Sequence, residues 1–280
     1  MTMKKALYTL LLFAAMTLIM SQPSTAQTAS IRTIPAFKAG ETLKCNLYFN
    51  WKFVWVRAGD ASLIIRDTVF NGREAMSMSL LSSTNKRADA FFKMRDTLTT
   101  VFTHDMRPIY YRKASEEGKH YYLNQVWYDY SHGDSIKITQ SFRRNKEAIR
   151  TRTDMSAKPV YDMMSLLAYA RTIDFSTMKK GQRLSFPVAT GKRIEPQHLI
   201  YRGKTKMESD KEIEYNCITV SLVEYDKKGK EQSIINFHVT DDRNKLPILL
   251  DLTLNFGSAK AKLSSYKGLL YPVMPSLSKR

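Results

Sequence analysis

Cysteine is nearly absent from this chain: Cys45 and Cys217 are the two among 280 residues. That excludes a four-cysteine zinc site within one chain and a fold stapled by several disulfides. Histidine is almost as scarce, and none of His104, His120, His132, His198 and His238 stands at metal-ligand spacing from another. H-E-x-x-H and G-x-S-x-G motifs are missing. Gly191-Lys192 lacks a phosphate loop around it, because Phe186 stands where its first glycine belongs and Arg193 where Ser or Thr belongs. The S-x-x-K spacings at Ser83, Ser176, Ser264 and Ser276 come without S-D-N or K-T-G elements, as chance gives in a lysine-rich chain. No metal, cofactor or catalytic residue is therefore expected.

Acidic residues are also in short supply, 26 against 44 Lys and Arg, for a net charge of +18. Such a balance favours anionic partners, although doublets such as Lys86-Arg87, Arg143-Arg144, Lys192-Arg193 and Lys227-Lys228 fall at expected strand ends and also suit a solvated surface. An apolar run of about 20 residues, enough to span a bilayer, is missing too. The longest, residues 6–20, follows Lys4-Lys5 and precedes Ser24-Thr25-Ala26. This is the layout of a cleaved signal peptide over residues 1–26, with the cut before Gln27. The expected product is an exported protein, soluble in the periplasm or outer cell envelope, with no transmembrane segment, no nucleic-acid partner and a monomeric state. In an oxidising compartment Cys45 and Cys217 can pair, or remain two buried thiols.

Period-two alternation is what the chain has in abundance. Leu43, Cys45, Leu47 and Phe49 alternate with polar residues, and Trp51, Phe53 and Trp55 continue at the same spacing. Ala61-x-Leu63-x-Ile65 and Met76-x-Met78-x-Leu80 flank Asn71-Gly72, a strong hairpin signal. Further strands fit 97–103, 107–115, 119–130, 134–143, 147–153, 183–188, 198–207, 212–225, 232–240, 247–256 and 260–267. One segment departs from the pattern: Met163, Leu166, Leu167 and Ala170 form a helical stripe over 160–171, with Asp162 in the first turn and Arg171 in the last. Short connections suit antiparallel neighbours. The fold class is mainly β: a single strongly curved antiparallel sheet, or incomplete barrel, wrapped around one central helix. A 27–39 lead segment, one domain over 40–270 and a 271–280 tail are expected. Gly40-Glu41-Thr42-Leu43 echoes Gly181-Gln182-Arg183-Leu184, hinting at two halves. Polar strands such as 136–144 and 198–207 argue against a lipid-facing outer-membrane barrel.

Trp51, Phe53 and Trp55 either fill the core or offer stacking faces to a ligand. Arg57, next along the same parity, marks a rim or needs a buried anion, and Asp162 is the partner expected for it. Trp51, Trp55, Arg57 and Asp162 are thus the candidate ligand-binding residues. Asp241-Asp242 and Glu116-Glu117 are adjacent carboxylates that point to opposite faces of a strand, so an acid/base dyad would need distant strands.

Gly40-Glu41-x-Leu43, Val56-x-Ala58-Gly59-x-Ala61-x-Leu63, Phe91-Phe92-Lys93, Tyr161-Asp162-Met163-Met164-Ser165-Leu166-Leu167 and Asp241-Asp242-Arg243-Asn244-Lys245-Leu246-Pro247 occur in that order. Together they resemble the exported bacterial family of domain of unknown function 3108, over about residues 38–270. The resemblance implies a β-rich envelope protein and brings no activity or catalytic residue. The leading expectation is a non-enzymatic envelope protein that binds a lipid, fatty acid or anionic glycan in the concave face. A polysaccharide hydrolase or lyase and a scaffold in an envelope complex are the alternatives.

Overall fold

A computed structural model describes residues 32–51, 54–226, 228–254 and 257–276. The expected signal peptide lies outside these residues. The described residues from Thr33 onward form one compact unit.

Fourteen strands form one antiparallel sheet: β1 (Thr42–Trp51), β2 (Val54–Phe70), β3 (Arg73–Thr84), β4 (Met94–Phe102), β5 (Pro108–Glu117), β6 (His120–His132), β7 (Ser135–Arg144), β8 (Arg150–Ser156), β9 (Arg183–Ala189), β10 (Ile194–Glu208), β11 (Glu214–Tyr225), β12 (Glu231–Thr240), β13 (Pro247–Leu254) and β14 (Gly257–Lys267). The sheet is two meanders joined where β1 pairs with β14, leaving β8 and β9 at its edges, with Tyr161 bridging the outer side of β9. Each meander opens on a glycine of the Gly-x-x-Leu echo, Gly40 and Gly181, in the left-handed region. Asn71 and Gly72 both take positive φ, which suits the twist of the β2–β3 hairpin. Among the described residues two α-helices interrupt the strands, α1 (Lys86–Asp89), absent from the sequence expectations, and α2 (Met163–Thr172), the latter followed by a 3-10 turn at Phe175–Thr177. Among the described residues no helix is long and apolar enough to cross a membrane.

Helix α2 lies against β3, β4 and β9. Asp162 is its N-cap, accepting from Met164 N and Ser165 N while the Ser165 hydroxyl accepts from Asp162 N, a reciprocal capping box. The buried face is not the stripe the spacing predicts. Met163 is exposed, and Met164, Ala168 and Arg171 turn inward with Leu166. The reason is Arg171: its guanidinium is sunk in the core beside the Glu41 carboxylate, 2.5 Å away, so a charged residue belongs to the inner stripe. Packed with these are Leu43, Leu63, Ile65, Met78, Phe102, Val126, Ile138, Ile248 and Leu263.

Cys45 and Cys217 sit in or against this core as free thiols, and burial pushes each up to about 12. They lie on β1 and β11 with β14, β13 and β12 between them in the sheet, and the structure has them as two separate thiols rather than a disulfide. Residues beyond 40–270 dock as well. Ala36 and Phe37 are buried, and Ser276 N donates to Glu214 O.

Candidate functional site

Registers place side chains on the inner face, the face that carries the core, in rows across the strands. One row is Leu43, Leu63, Leu80, Leu98, Lys113, Asn124, Phe142 and Arg150; the next is Cys45, Ala61, Ser82, Asp96, Ser115, Tyr122 and Arg144. Along β4 the inner residues run from buried Phe102, Thr100 and Leu98 to half-buried Asp96 and Met94. β5 runs likewise from Tyr111 to Lys113 and Glu117, and β6 from Val126 through Asn124 to Tyr122 and His120. The inner face of β4–β7 is thus apolar and sealed at one end, polar and open at the other.

A turn from the far edge of the sheet seats on this polar end. Between β9 and β10, Thr190 O accepts from Asn124 Nδ2 (2.7 Å) and Gly191 N donates to Gln140 Oε1 (3.1 Å). The Lys192 ammonium rests 3.8 Å from the centre of the Phe142 ring. The two ends of the open sheet therefore meet through a turn on β6 and β7, without a strand ladder. Gly191 is required there. Its φ is +89°, and a Cβ would lie 2.6 Å from that of Asn124. Gly191→Ala should cost about 1–3 kcal/mol of stability, read by urea unfolding; an unchanged midpoint would show that the turn is not clamped.

Cations dominate the place where the turn lands. Desolvation pushes the Lys192 ammonium below its usual range, and Arg150, Arg193 and Arg144 act in the same direction, opposed by Glu195. Among the described residues no carboxylate pairs with the Lys192 ammonium, whereas Arg193 is held by Glu195. Arg144 Nη2 donates toward the His120 ring and the guanidinium lies 5.9 Å over Tyr122, itself stacked on Phe142 at 6.5 Å. Deeper on the same face, burial raises the Asp96 carboxyl to about 6, with Lys113 opposing and Glu117 reinforcing the rise. Glu117 is paired with Lys113 at 3.3 Å. One Asp96 oxygen and the Ser115 hydroxyl are buried without a hydrogen-bond partner of ordinary geometry. Phe91, 79% exposed, and half-buried Phe92 precede β4 at this end.

The residues singled out from sequence fall elsewhere. Trp55 is on β2, not on a continuation of β1, and it is 38% exposed with Lys260 Nζ 4.5 Å from its ring centre. Trp51 ends β1, but its side chain, like Phe53, is outside the described residues. Arg57 is on the surface, bonded to Asp60 at 2.6 Å and Asn46 at 2.9 Å, so its expected pairing with Asp162 is incorrect. An exposed guanidinium needs no buried anion and takes a carboxylate three residues away. Asp162 is fully buried and serves α2, with Thr100 Oγ1 donating to its second oxygen. Of the acidic doublets, Glu117 faces inward while Glu116 pairs with Lys93, and Asp242 caps its own turn while Asp241 pairs with Lys204. Asp96, Lys113, Arg144 and Lys192 were missed by sequence reasoning. A usable signal existed in β5, where Lys113 and Glu117 share the parity of buried Tyr111 and Ser115.

Fold and site together define a class, an open all-antiparallel meander with a basic opening on its inner face. The chain belongs to the family described as Protein of unknown function (DUF3108), which matches residues 29–264. In the interior Glu41 accepts from Arg171, which also donates to Asn244 O, and Asp162 accepts from Ser165. No curated protein matches the chain. Among solved structures it is similar to a beta-barrel-like protein of domain of unknown function DUF1849 from Brucella abortus, at 12% identity and TM-score 0.48, over 86% of this chain and 100% of that one.

Proposed function

We propose that this is an exported cell-envelope protein that binds an anionic glycan at the basic end of a sheet curved over α2. The observation that carries the reading is Lys192. Its ammonium is partly desolvated, rests on an aromatic face, has three guanidiniums and the Glu195 carboxylate acting on it, and among the described residues is paired with no carboxylate. Glu195 and Glu147 already pair with Arg193 and Arg150, whereas Lys192 has no such partner among the described residues, so an incoming carboxylate or phosphate group gains chiefly from Lys192 and the excess of cations around it. Half-buried Tyr122 beside it supplies an aromatic ring of the kind that packs against sugars. A glycan is favoured over an acyl chain because the apolar half of the inner face is occupied by the protein's own side chains, Met78, Phe102 and Met164 among them.

The test is calorimetric titration with polygalacturonate, with oleate and uncharged dextran as comparisons. Lys192→Ala with Arg150→Ala should weaken polygalacturonate binding about a hundredfold, roughly 1.5 kcal/mol for each charged contact. Equal binding of dextran, or an unaffected variant, would overturn the reading. Tighter binding of oleate would replace the glycan with an amphiphile.

Asp96 and Glu117 favour a second reading. They are diagonal neighbours on one face, roughly 7 Å apart, one carboxyl raised by burial and the other held beside a lysine. A carboxyl raised by burial suits a general acid, with a second carboxylate near it on the same face. Chain shortening of the glycan by the wild type, lost in Asp96→Asn, would turn the binding protein into a hydrolase or lyase.

A further inference from the structure

The outer face of β4–β8 carries a feature that the basic end does not use. Helix α2 packs on the opposite face, where Asp162 meets Thr100, so polar residues turned to solvent are expected here. One row across the outer face is instead Tyr110, Trp127, Thr139 and Thr153, direct partners in successive strands. Phe70, from the end of β2, stacks on Tyr110 with ring centres 5.5 Å and planes 18° apart, and Tyr110 meets Trp127 at 5.6 Å. A cross-strand pair accounts for Tyr110 with Trp127. Phe70 reaches that pair past β3 and β4, so three rings gather at one place on the outside of the sheet. Trp127 ends the series and is 37% exposed.

The polar groups around the rings decide what they suit. Gln125 Nε2 donates to the Tyr110 hydroxyl at 2.7 Å, which leaves that hydroxyl its own proton to give. Arg112 stands directly opposite Gln125, half-buried, and among the described residues no carboxylate pairs with it. Rings suit the C–H faces of sugars, the hydroxyls and the amide suit their hydroxyls, and the guanidinium suits a carboxylate. The edge strand joins this face to the basic end. Arg150, which acts on Lys192, points inward, while Thr151 and Thr153 of the same strand point outward. β8 is the last strand on that side of the sheet, so a chain held at Lys192 turns over one edge to reach Trp127, two strand spacings or about 10 Å beyond it. On the glycan reading above, on which this rests, we infer that the outer face of β5–β8 is a second subsite for the same anionic glycan. Its sugar rings stack on Trp127 and one of its carboxylates meets Arg112.

The test is calorimetric titration with trigalacturonate, too short to reach from Lys192 around β8 to Trp127, and with decagalacturonate. The wild type should bind the decamer roughly a hundredfold more tightly than the trimer. Trp127→Thr, which keeps a good strand former at an exposed position, should lose about tenfold on the decamer and nothing on the trimer. Arg112→Gln, which leaves all three rings in place, should do the same. Wild-type affinity for the decamer in either variant would overturn the second subsite and leave the basic end standing, as would equal affinity of the wild type for the two lengths. Equal losses on both lengths would also overturn it, since the outer face would then act through the fold. Failure of the wild type to bind either length would remove the basic end and this subsite together. A wild type that is dimeric in light scattering and monomeric as Trp127→Thr would give the face to a second copy instead.

Discussion

Replacing Arg171 with Met should remove about 3–5 kcal/mol of stability, the cost of leaving a buried charge without its partner. The guanidinium is 4% exposed and donates to Glu41 Oε1 and, through Nε and Nη2, to Asn244 O, while it lies 5.2 Å from the Phe37 ring centre. Glu41 is fully buried, and its other oxygen already has no partner. Removing the arginine therefore strands a carboxylate that neither water nor a second donor can reach. Glu41→Met should be comparably harmful, since it strands the guanidinium. The double substitution should be less harmful than either single one, with a coupling of about 1–3 kcal/mol, because both charges then leave together. Urea unfolding of the four proteins decides the matter. Additive losses would show that packing around the stems, not the ion pair, is what matters at this position. The pair joins the start of β1, the last turn of α2 and the 241–246 turn.

The strands were legible because a half-buried sheet writes its pattern in alternate residues. Asn71-Gly72 named its own hairpin, and the resumption of strands after α2 was read to within a few residues. The β1–β2 boundary was not, because Trp51-Lys52-Phe53-Val54 carries no Gly, Pro or Asn and its alternation continues unbroken into Trp55. That single missed turn placed Trp55 and Arg57 on one long inner stripe, whereas they belong to a second strand at the surface. The face of α2 was misread for a different reason. Arg171 counts as polar in a periodicity, so the inner stripe of Met164, Ala168 and Arg171 scores below that of Met163, Leu167 and Ala170. The basic end of β4–β7 was hidden by distance. Asp96, Ser115, Tyr122 and Arg144 become neighbours only through three registers, and Lys192 arrives from the opposite edge of the sheet.

Asp162, chosen from sequence as a ligand-binding carboxylate, has an expected signature of its own in stability against pH. Burial raises its carboxyl to about 6, although Ser165, Thr100 and Met164 donate to it and partly oppose the rise. In the unfolded chain it would titrate near the ordinary 3.8. Between those values the native protein holds a proton that the unfolded chain has released, so this group's contribution is fully present below about pH 4 and is lost as pH rises through about 6. At about 1.36 kcal/mol per unit, the loss approaches 3 kcal/mol. Asp162→Asn removes the titration and leaves the cap in place, since Asn caps helices about as well as Asp. Its carbonyl can accept from Met164 N and Ser165 N, and the displaced hydroxyls have other acceptors: Tyr110 O for Thr100 and Asp162 O for Ser165. The variant should therefore gain on the wild type by about 2–3 kcal/mol between pH 4 and pH 7. Asp96, also raised to about 6, titrates in the same window and remains in both proteins, so it cancels in the comparison. Urea midpoints of the two proteins at pH 4, 5, 6 and 7 measure the difference. A constant gap would mean that the four donors outweigh burial and keep Asp162 ionised throughout. A gap that widens with pH would establish a cap held at the expense of a desolvated charge.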